Sequence, residues 1–138
     1  MIDFYFAAAN GRILMTGRCP KEHVRLQTLP GAERHIGKAD AFLQRHEPGV
    51  GPVALPAKPS KWHVFDYGAK RWVLEEAAAW AAVRLERDAR LAACDWVALR
   101  AQERGEPVPP EWLEYRQALR DITQQPDPAA IAWPVAPA

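Results

Sequence analysis

The first 74 residues alternate apolar and polar positions in the manner of short β-strands. "IDFYFAAANGRILMTG" places three aromatic residues before an Asn-Gly pair and two apolar residues after it. Asn10-Gly11 tolerates the positive φ angles of a tight turn, so this stretch predicts a β-hairpin. "WHVFDYGAKRWVL", residues 62–74, predicts a second hairpin that turns near Tyr67-Gly68.

The stretch between the two hairpins, residues 18–61, is interrupted by proline and glycine. Within it, "VRLQTLPG" is a candidate for one further strand, and "PGVGPVALPAKP" predicts an extended connection. We therefore expect a small β-rich N-terminal unit over residues 1–74, with the number and order of its strands left open.

At residue 75 the period of the apolar positions becomes that of an α-helix. Apolar residues recur at spacings of three and four: Leu74, Ala78, Ala81, Leu85, Ala89, Ala92, Trp96 and Leu99. This spacing predicts one long helix over residues 75–102, with the stripe on its packed side. Gly105 can cap the helix, and the prolines that follow cannot continue it.

A second helix is expected from about Pro110, because proline is favoured in the first turn. Its apolar stripe consists of Trp112, Tyr115, Leu119 and Ile122. Two facing stripes predict an antiparallel helical hairpin over residues 75–138, closed by the proline-rich tail "QQPDPAAIAWPVAPA". The predicted fold class is α+β.

Some residues of this half are candidates for partner binding. The long helix has a second apolar line on its back, and a helix that is apolar on two sides usually has two neighbours, here either the β-rich unit or a partner protein. Arg116 and Arg120, one turn apart, either pair with Asp95 or Glu114 and clamp the hairpin or form a docking surface. The candidate partner-binding residues are Trp80, Val83, Arg84, Arg87, Leu91, Arg116, Arg120 and Trp133.

Composition and charge exclude several classes of protein. The net charge of +1 is split into about +5 before residue 75 and −4 after it, but the basic residues form no run, which argues against a nucleic-acid partner. No stretch approaches 18 apolar residues, so we expect no membrane span. Two distant cysteines, Cys19 and Cys94, predict no disulfide framework and suit a reducing cytosol.

The chain shows no motif for catalysis, cofactor binding or metal binding. Cys19-x-x-x-His23 with His35, His46 and His63 lacks the tight ligand pairs of a zinc site. No phosphate-binding glycine motif is present, and no cysteine lies in a recognisable nucleophile setting. We therefore expect a protein without enzymatic activity, cofactor or metal.

The C-terminal residues carry a family resemblance. "RLERDARLAACDW", "WLEYRQALRDITQQP" and "IAWP" resemble the C-terminal domain of phage tail fibre assembly chaperones, also called phage tail assembly chaperone proteins, over residues 84–134. The motif positions are Arg87, Asp88, Asp95, Trp96, Trp112, Tyr115, Arg116, Leu119, Asp121, Ile122, Trp133 and Pro134. Cys94 departs from the pattern where threonine is common, and Thr123 departs from it where proline is frequent.

The resemblance implies a non-enzymatic protein of a tailed phage or prophage. It would bind a tail fibre and help it to fold, trimerise or attach, acting in the host bacterial cytoplasm. The alternative is a structural component that stays bound to the fibre or tail tip in the virion. The residues do not separate these two readings and leave the oligomeric state open.

Overall fold

The computed structural model describes all 138 residues, and the predicted α+β class is confirmed. The strands are β1 (Ile2–Ala7), β2 (Ile13–Cys19), β3 (Glu33–Ile36), β4 (Gln44–Glu47), β5 (Gly51–Ala54), β6 (His63–Asp66) and β7 (Arg71–Leu74). The helices are α1 (Glu76–Ala93), α2 (Asp95–Arg104) and α3 (Pro110–Arg120), with 3₁₀-helices at Lys21–Leu26 and Asp121–Gln124. The chain divides into an N-terminal unit, Met1–Pro59 with Phe65–Val73, and a helical unit, Ser60–Val64 with Leu74–Ala138.

The first predicted hairpin is confirmed and forms the centre of the N-terminal unit. β1 pairs antiparallel with β2 on one side and with β3 on the other. The turn between β1 and β2 contains Gly11 with a φ angle of 88°. A Cβ atom at Gly11 would lie 2.6 Å from the backbone oxygen of His46, so both the turn and this close approach require glycine.

β1 is buried on both of its faces. Successive side chains of a strand point to opposite sides, so Phe4 and Phe6 pack with Cys19 on one face. Tyr5 and Ala7 pack with Ile13 on the other face. One strand therefore contributes to two small cores, which explains its nearly continuous apolar sequence.

The predictions for the region between the hairpins are wrong in two places. "VRLQTLPG" forms no strand, since Val24 to Leu26 belong to a 3₁₀-helix. "PGVGPVALPAKP" is not only a connection, because residues 51–54 form β5 and pair antiparallel with β4. Pro52 is compatible with this strand because β4 and β5 form a two-stranded sheet in which both strands are edges.

The second predicted hairpin is also confirmed. β6 and β7 form a two-stranded sheet, and Tyr67 and Gly68 lie in the turn between them. The residue with a positive φ angle in this turn is Lys70, at 54°, and not the glycine. Trp72 donates a hydrogen bond from Nε1 to the carbonyl oxygen of Pro56 at 2.8 Å, which ties β7 to the preceding segment.

The single long helix expected over residues 75–102 is interrupted at Cys94, where α1 ends and α2 begins. The carbonyl oxygen of Leu91 is shared by the amide of Cys94 at 3.2 Å and a guanidinium nitrogen of Arg116 at 3.3 Å. In a continuous helix this carbonyl would accept from the amide of Asp95. The break therefore depends on an arginine 25 residues away.

The caps of the next two helices agree with the sequence. Gly105 ends α2 in the left-handed conformation, with a φ angle of 64°. Pro110 opens α3, and Glu111 lies in its first turn. Tyr115, Leu119 and Ile122 are buried, so the stripe predicted for the second helix is confirmed apart from Trp112, which is only partly buried.

The stripe predicted to pack inside the long helix is exposed instead. Leu85 and Leu99 are 74% and 58% exposed, and Trp96 is 49% exposed. The buried residues of α1 and α2 lie on another side: Ala79, Val83, Val97 and Ala101. The exposed stripe and the buried stripe both recur with the period of an α-helix. The period therefore predicted the helical structure correctly, but the stripe predicted to be buried was the wrong one.

Candidate interaction surfaces of the helical unit

The centre of the helical unit lies where α3 meets the end of α1. Cys94, Tyr115 and Leu119 form a buried cluster there. Leu91, Trp112 and Trp133 pack around it and remain partly exposed. Cys94 is buried in this cluster at the junction of α1 and α2.

Arg116 joins the two helices beside this cluster. Its guanidinium donates to the carboxylate of Asp95 at 2.9 Å, to the sulfur of Cys94 at 3.1 Å and to the carbonyl of Leu91 at 3.3 Å. Burial lowers the pKa of Arg116, but the hydrogen bonds to Asp95 and Cys94 outweigh it and raise the pKa on balance. The pairing with Asp95 that the sequence offered as a clamp is therefore present.

Arg120 does not take part in this clamp. Its nearest hydrogen-bond partner is the side-chain oxygen of Gln117 at 3.5 Å, and the side chain is exposed. Asp121 receives two hydrogen bonds from the amide of Gln117, at 3.0 and 3.1 Å. A docking role for Arg116 or Arg120 stays a prediction.

A chain of aromatic rings runs across the surface of α2 and α3. Trp112 makes edge-to-face contacts with Trp96, at 5.9 Å between ring centroids, and with Tyr115, at 5.8 Å. Arg100 lies over the ring of Trp96 at 4.7 Å. Trp96 is therefore held in place by contacts on two sides while about half of its surface faces solvent.

The proline-rich tail packs on the helices. The side chain of Gln125 makes two hydrogen bonds to the backbone of Ala132, at 2.8 and 3.0 Å, which close a loop. Pro128 within that loop is buried. Trp133 packs near the Cys94 cluster and lies under the guanidinium of Arg90, 4.5 Å from the ring centroid.

A groove of about 370 Å³ lies between α1 and the tail. Its lining residues include Val83 and Glu86 from α1, Ile131 and Trp133 from the tail, and Trp62 from the segment that leads into the hairpin. The backbone of Trp62 accepts a hydrogen bond from Glu75 at 2.8 Å, so this segment is fixed at the start of α1. The tail and the segment around Trp62 therefore both lie beside α1 near Val83.

The predicted back-face residues have different environments. Val83 is buried and Leu91 is partly buried, so both face the interior of the helical unit. Trp80 is partly exposed, and its Nε1 lies 3.4 Å from the carboxylate of Glu76. The prediction that Val83 and Leu91 form an outward-facing surface is therefore wrong. The large exposed apolar side chains of α1 and α2 are those of Leu85, Trp96 and Leu99.

Arg84 and Arg87, the two arginines of α1 that were predicted to bind a partner, have different environments. Arg84 is exposed and makes no ion pair. Arg87 pairs with the adjacent Asp88 at 2.8 Å. Reasoning from sequence missed Arg90, which pairs with Glu86 at 2.9 Å and stacks on Trp133. The spacing of four between Glu86 and Arg90 was a signal for the ion pair, but not for the stacking.

The N-terminal unit contains a cluster of histidines. His35 and His46 stack with 3.9 Å between their ring centroids, and the hydroxyl of Tyr5 lies 2.8 Å from Nδ1 of His46. Burial and the neighbouring His35 lower the pKa of His46, while burial raises the pKa of Tyr5. Glu33 lies 4.0 Å from His35. No three His, Cys, Asp or Glu side chains come together as a metal site would require.

None of the helices combines the length and the apolar content that crossing a bilayer requires.

No match to the chain was found among curated proteins or among solved structures. Residues 80–138 match a family model described as phage tail assembly chaperone protein. The matched residues run from α1 to the end of the tail and include the Cys94 cluster, the Arg116 contacts and Trp133. The resemblance seen over residues 84–134 is thus confirmed: the C-terminal part of the chain is similar to the phage tail assembly chaperone family.

Proposed function

We propose that this protein is a non-enzymatic helper in phage tail assembly that binds a tail fibre and assists its folding, trimerisation or attachment. The observation that carries the proposal is the match of residues 80–138 to the phage tail assembly chaperone family. The matched segment coincides closely with the helices and tail of the helical unit, so the similarity covers a packed structure.

The surface of the helical unit supports a role in protein contact. Leu85, Trp96 and Leu99 expose apolar side chains along α1 and α2. Exposed apolar side chains that share one face are typical of binding surfaces for other proteins. We place the action of this surface in the cytoplasm of the host bacterium, where tail fibres are made.

Co-expression tests the proposal. The tail fibre gene from the same phage or prophage genome is expressed with and without the 138-residue chain, and soluble trimeric fibre is measured by size-exclusion chromatography. We expect more soluble trimer in the presence of the chain, together with a complex of the two proteins. Equal yields of trimer with no complex would refute the proposed function.

Mass spectrometry of purified particles then separates a chaperone from a virion component. A chaperone that leaves after assembly is absent from the particles. A structural component is present at a stoichiometry near that of the fibre. We expect absence, in line with the assembly role in the description of the family.

A further inference from the structure

The hairpin of β4 and β5 is attached to the central sheet without any fully buried side chain of its own. Its strand residues are at most partly buried, and none of them belongs to the two cores built on β1. The amide of His46 in β4 donates to the carbonyl oxygen of Gly11 at 2.8 Å, and Arg45 forms a single bridge with Arg12. A small hairpin held in this way can open while the rest of its unit stays folded.

The side chain of His46 also joins this hairpin to the central sheet. Its ring stacks on that of His35 in β3, with 3.9 Å between the centroids and 23° between the planes. Its Nδ1 lies 2.8 Å from the hydroxyl of Tyr5 in β1. Tyr5 is 2% exposed, and its ring stacks on His35 with the centroids 5.1 Å apart. One side chain of β4 therefore contacts both of the strands beneath it.

Both of these contacts favour neutral imidazole rings. The Tyr5 hydroxyl makes its one side-chain hydrogen bond to His46, so Nδ1 is the acceptor of the hydroxyl proton. Protonation of Nδ1 turns the acceptor into a donor and leaves the hydroxyl proton without its partner. If the stacked His35 is protonated as well, two cations face each other at the distance of a ring stack and repel.

Two carboxylates and two cations lie around the stacked pair. Glu33 of β3 lies 4.0 Å from His35, but its side chain is 82% exposed. Glu47 of β4 pairs with Arg45 on its own strand and, at 3.0 Å, with Lys70 of the turn between β6 and β7. Water screens the first carboxylate and the two cations neutralise the second, so neither fully offsets a positive charge on the pair.

The sum of these effects keeps His46 neutral to a lower pH than an isolated histidine. Burial and the charge of His35 lower the pKa of His46, and they outweigh Glu33 and Glu47, which raise it. Both imidazoles line a cavity of about 500 Å³, together with residues of the β1–β2 and β6–β7 turns. Protons therefore reach the rings from this cavity without unfolding of the unit.

We propose that His46, stacked on His35, is a pH-sensitive latch that releases the β4–β5 hairpin from the central sheet in mildly acidic solution. The latch is closed while both imidazoles are neutral, and protonation of Nδ1 removes the acceptor of the Tyr5 hydroxyl. Opening uncovers the backbone of Gly11 and both histidine rings. The latch lies outside the residues 80–138 that match the family, so it does not depend on the proposed function.

Amide hydrogen exchange of the 138-residue chain, measured by NMR at low urea concentrations and corrected for intrinsic exchange, tests the latch. We expect the His46 amide to exchange through an opening that depends little on urea, because only the hairpin moves. This opening should become about tenfold more frequent between pH 7 and pH 5. The amides of β1 should exchange only through unfolding of the unit, with a steep dependence on urea. The same steep dependence for His46, or a local opening that ignores pH, would overturn the proposal.

Three variants assign the pH dependence to the stacked pair. His46→Gln should nearly abolish it, and His35→Gln should reduce it, since a cation on His46 then meets no second cation. His23→Gln is the matched control, because His23 is an exposed histidine of the same unit outside the cluster and its loss should change nothing. An unchanged pH dependence in either of the first two variants would overturn the proposal.

A titration of the wild-type imidazoles tests the latch independently of the folding of any variant. The ring protons of His46 and the amides of residues 44–54 are followed in the same NMR samples from pH 8 to pH 5. We expect the local opening to rise over the pH range in which His46 is protonated. Protonation of His46 with no change in the opening of the hairpin would overturn the proposal.

Discussion

Replacing Leu119 by alanine is expected to destabilise the helical unit by about 3 kcal/mol. Leu119 is 0% exposed and packs in the cluster with Cys94 and Tyr115. The substitution removes three carbon atoms, each worth roughly 0.8 kcal/mol of burial. The cavity left behind adds to this loss, since a close-packed cluster collapses only in part.

Leu113 offers a matched control on the same helix. It is 53% exposed, so Leu113→Ala changes the same chemical groups and the same helix propensity without opening a cavity. We expect Leu113→Ala to stay within about 0.5 kcal/mol of the wild-type stability. Urea unfolding followed by far-UV circular dichroism measures both variants, and the midpoint of the Leu119→Ala transition should fall with little change in slope.

Thermal unfolding gives a second estimate of the same effect. For a unit of this size, 1 kcal/mol corresponds to a shift in melting temperature of about 4–8 °C, so Leu119→Ala should shift the helical transition by roughly 10–25 °C. Equal shifts for Leu119→Ala and Leu113→Ala would refute the inward orientation of α3 on which the structure of this unit depends.

Three further predictions concern polar contacts and the tail. Arg116→Lys keeps the charge but loses the shared hydrogen bonds to Asp95 and its neighbours, so it should cost about 1–2 kcal/mol in urea unfolding; an unchanged midpoint would count against the clamp. Because His46 has a pKa below its ordinary value of 6.5, the N-terminal unit should keep full stability above pH 6.5 and lose it as the pH falls through the lowered value. Melting from pH 8 to 5 checks this, and His46→Gln should flatten the dependence if the stacked pair with His35 causes it. Trp133→Ala should lower the stability of the helical unit by about 1–3 kcal/mol, because the ring is partly buried on the helices, and no change would mean that the tail is not held there.

The helices could be predicted from the sequence because their signals are local. Gly105, Pro110 and the spacing of Tyr115 and Leu119 lie within the segments that they define. The Asn-Gly turn of the first hairpin is local in the same way. What these signals fix is the type of each element and, for α3, its inner face.

The inner face of α1 could not be predicted because the residues that cover it are distant in sequence. Val83 lines a groove together with Trp62 and with Ile131 of the tail, which lie 21 and 48 residues away in the sequence. Leu85 and Leu99 are more apolar than the alanines that the structure buries, so the pattern favoured the wrong side. The break at Cys94 could not be predicted for the same reason, since the carbonyl of Leu91 at the break is bonded by Arg116 of α3.

The contacts of the candidate surfaces also differ in whether the sequence could predict them. The sequence offered Asp95 and Glu114 as alternative partners of Arg116, and the structure brings Arg116 within 2.9 Å of Asp95. The contact between Arg90 and Trp133 links residues 43 positions apart, and no pattern in the sequence predicts it. A pairing of opposite charges between the two predicted helices could therefore be proposed from the sequence, whereas a contact between a helix and the tail could not.

The two cysteines are free and buried, and one lies in each unit, Cys19 in the N-terminal unit and Cys94 in the helical unit. A thiol reagent can reach either sulfur only when the surrounding structure opens, so the labelling rate of each cysteine reports the local opening of its own unit. Cys19→Ser and Cys94→Ser assign the two rates to their residues. The natural sequence therefore contains one chemical reporter for each unit, and a partner that covers the helices should slow the reaction of Cys94 while leaving that of Cys19 unchanged.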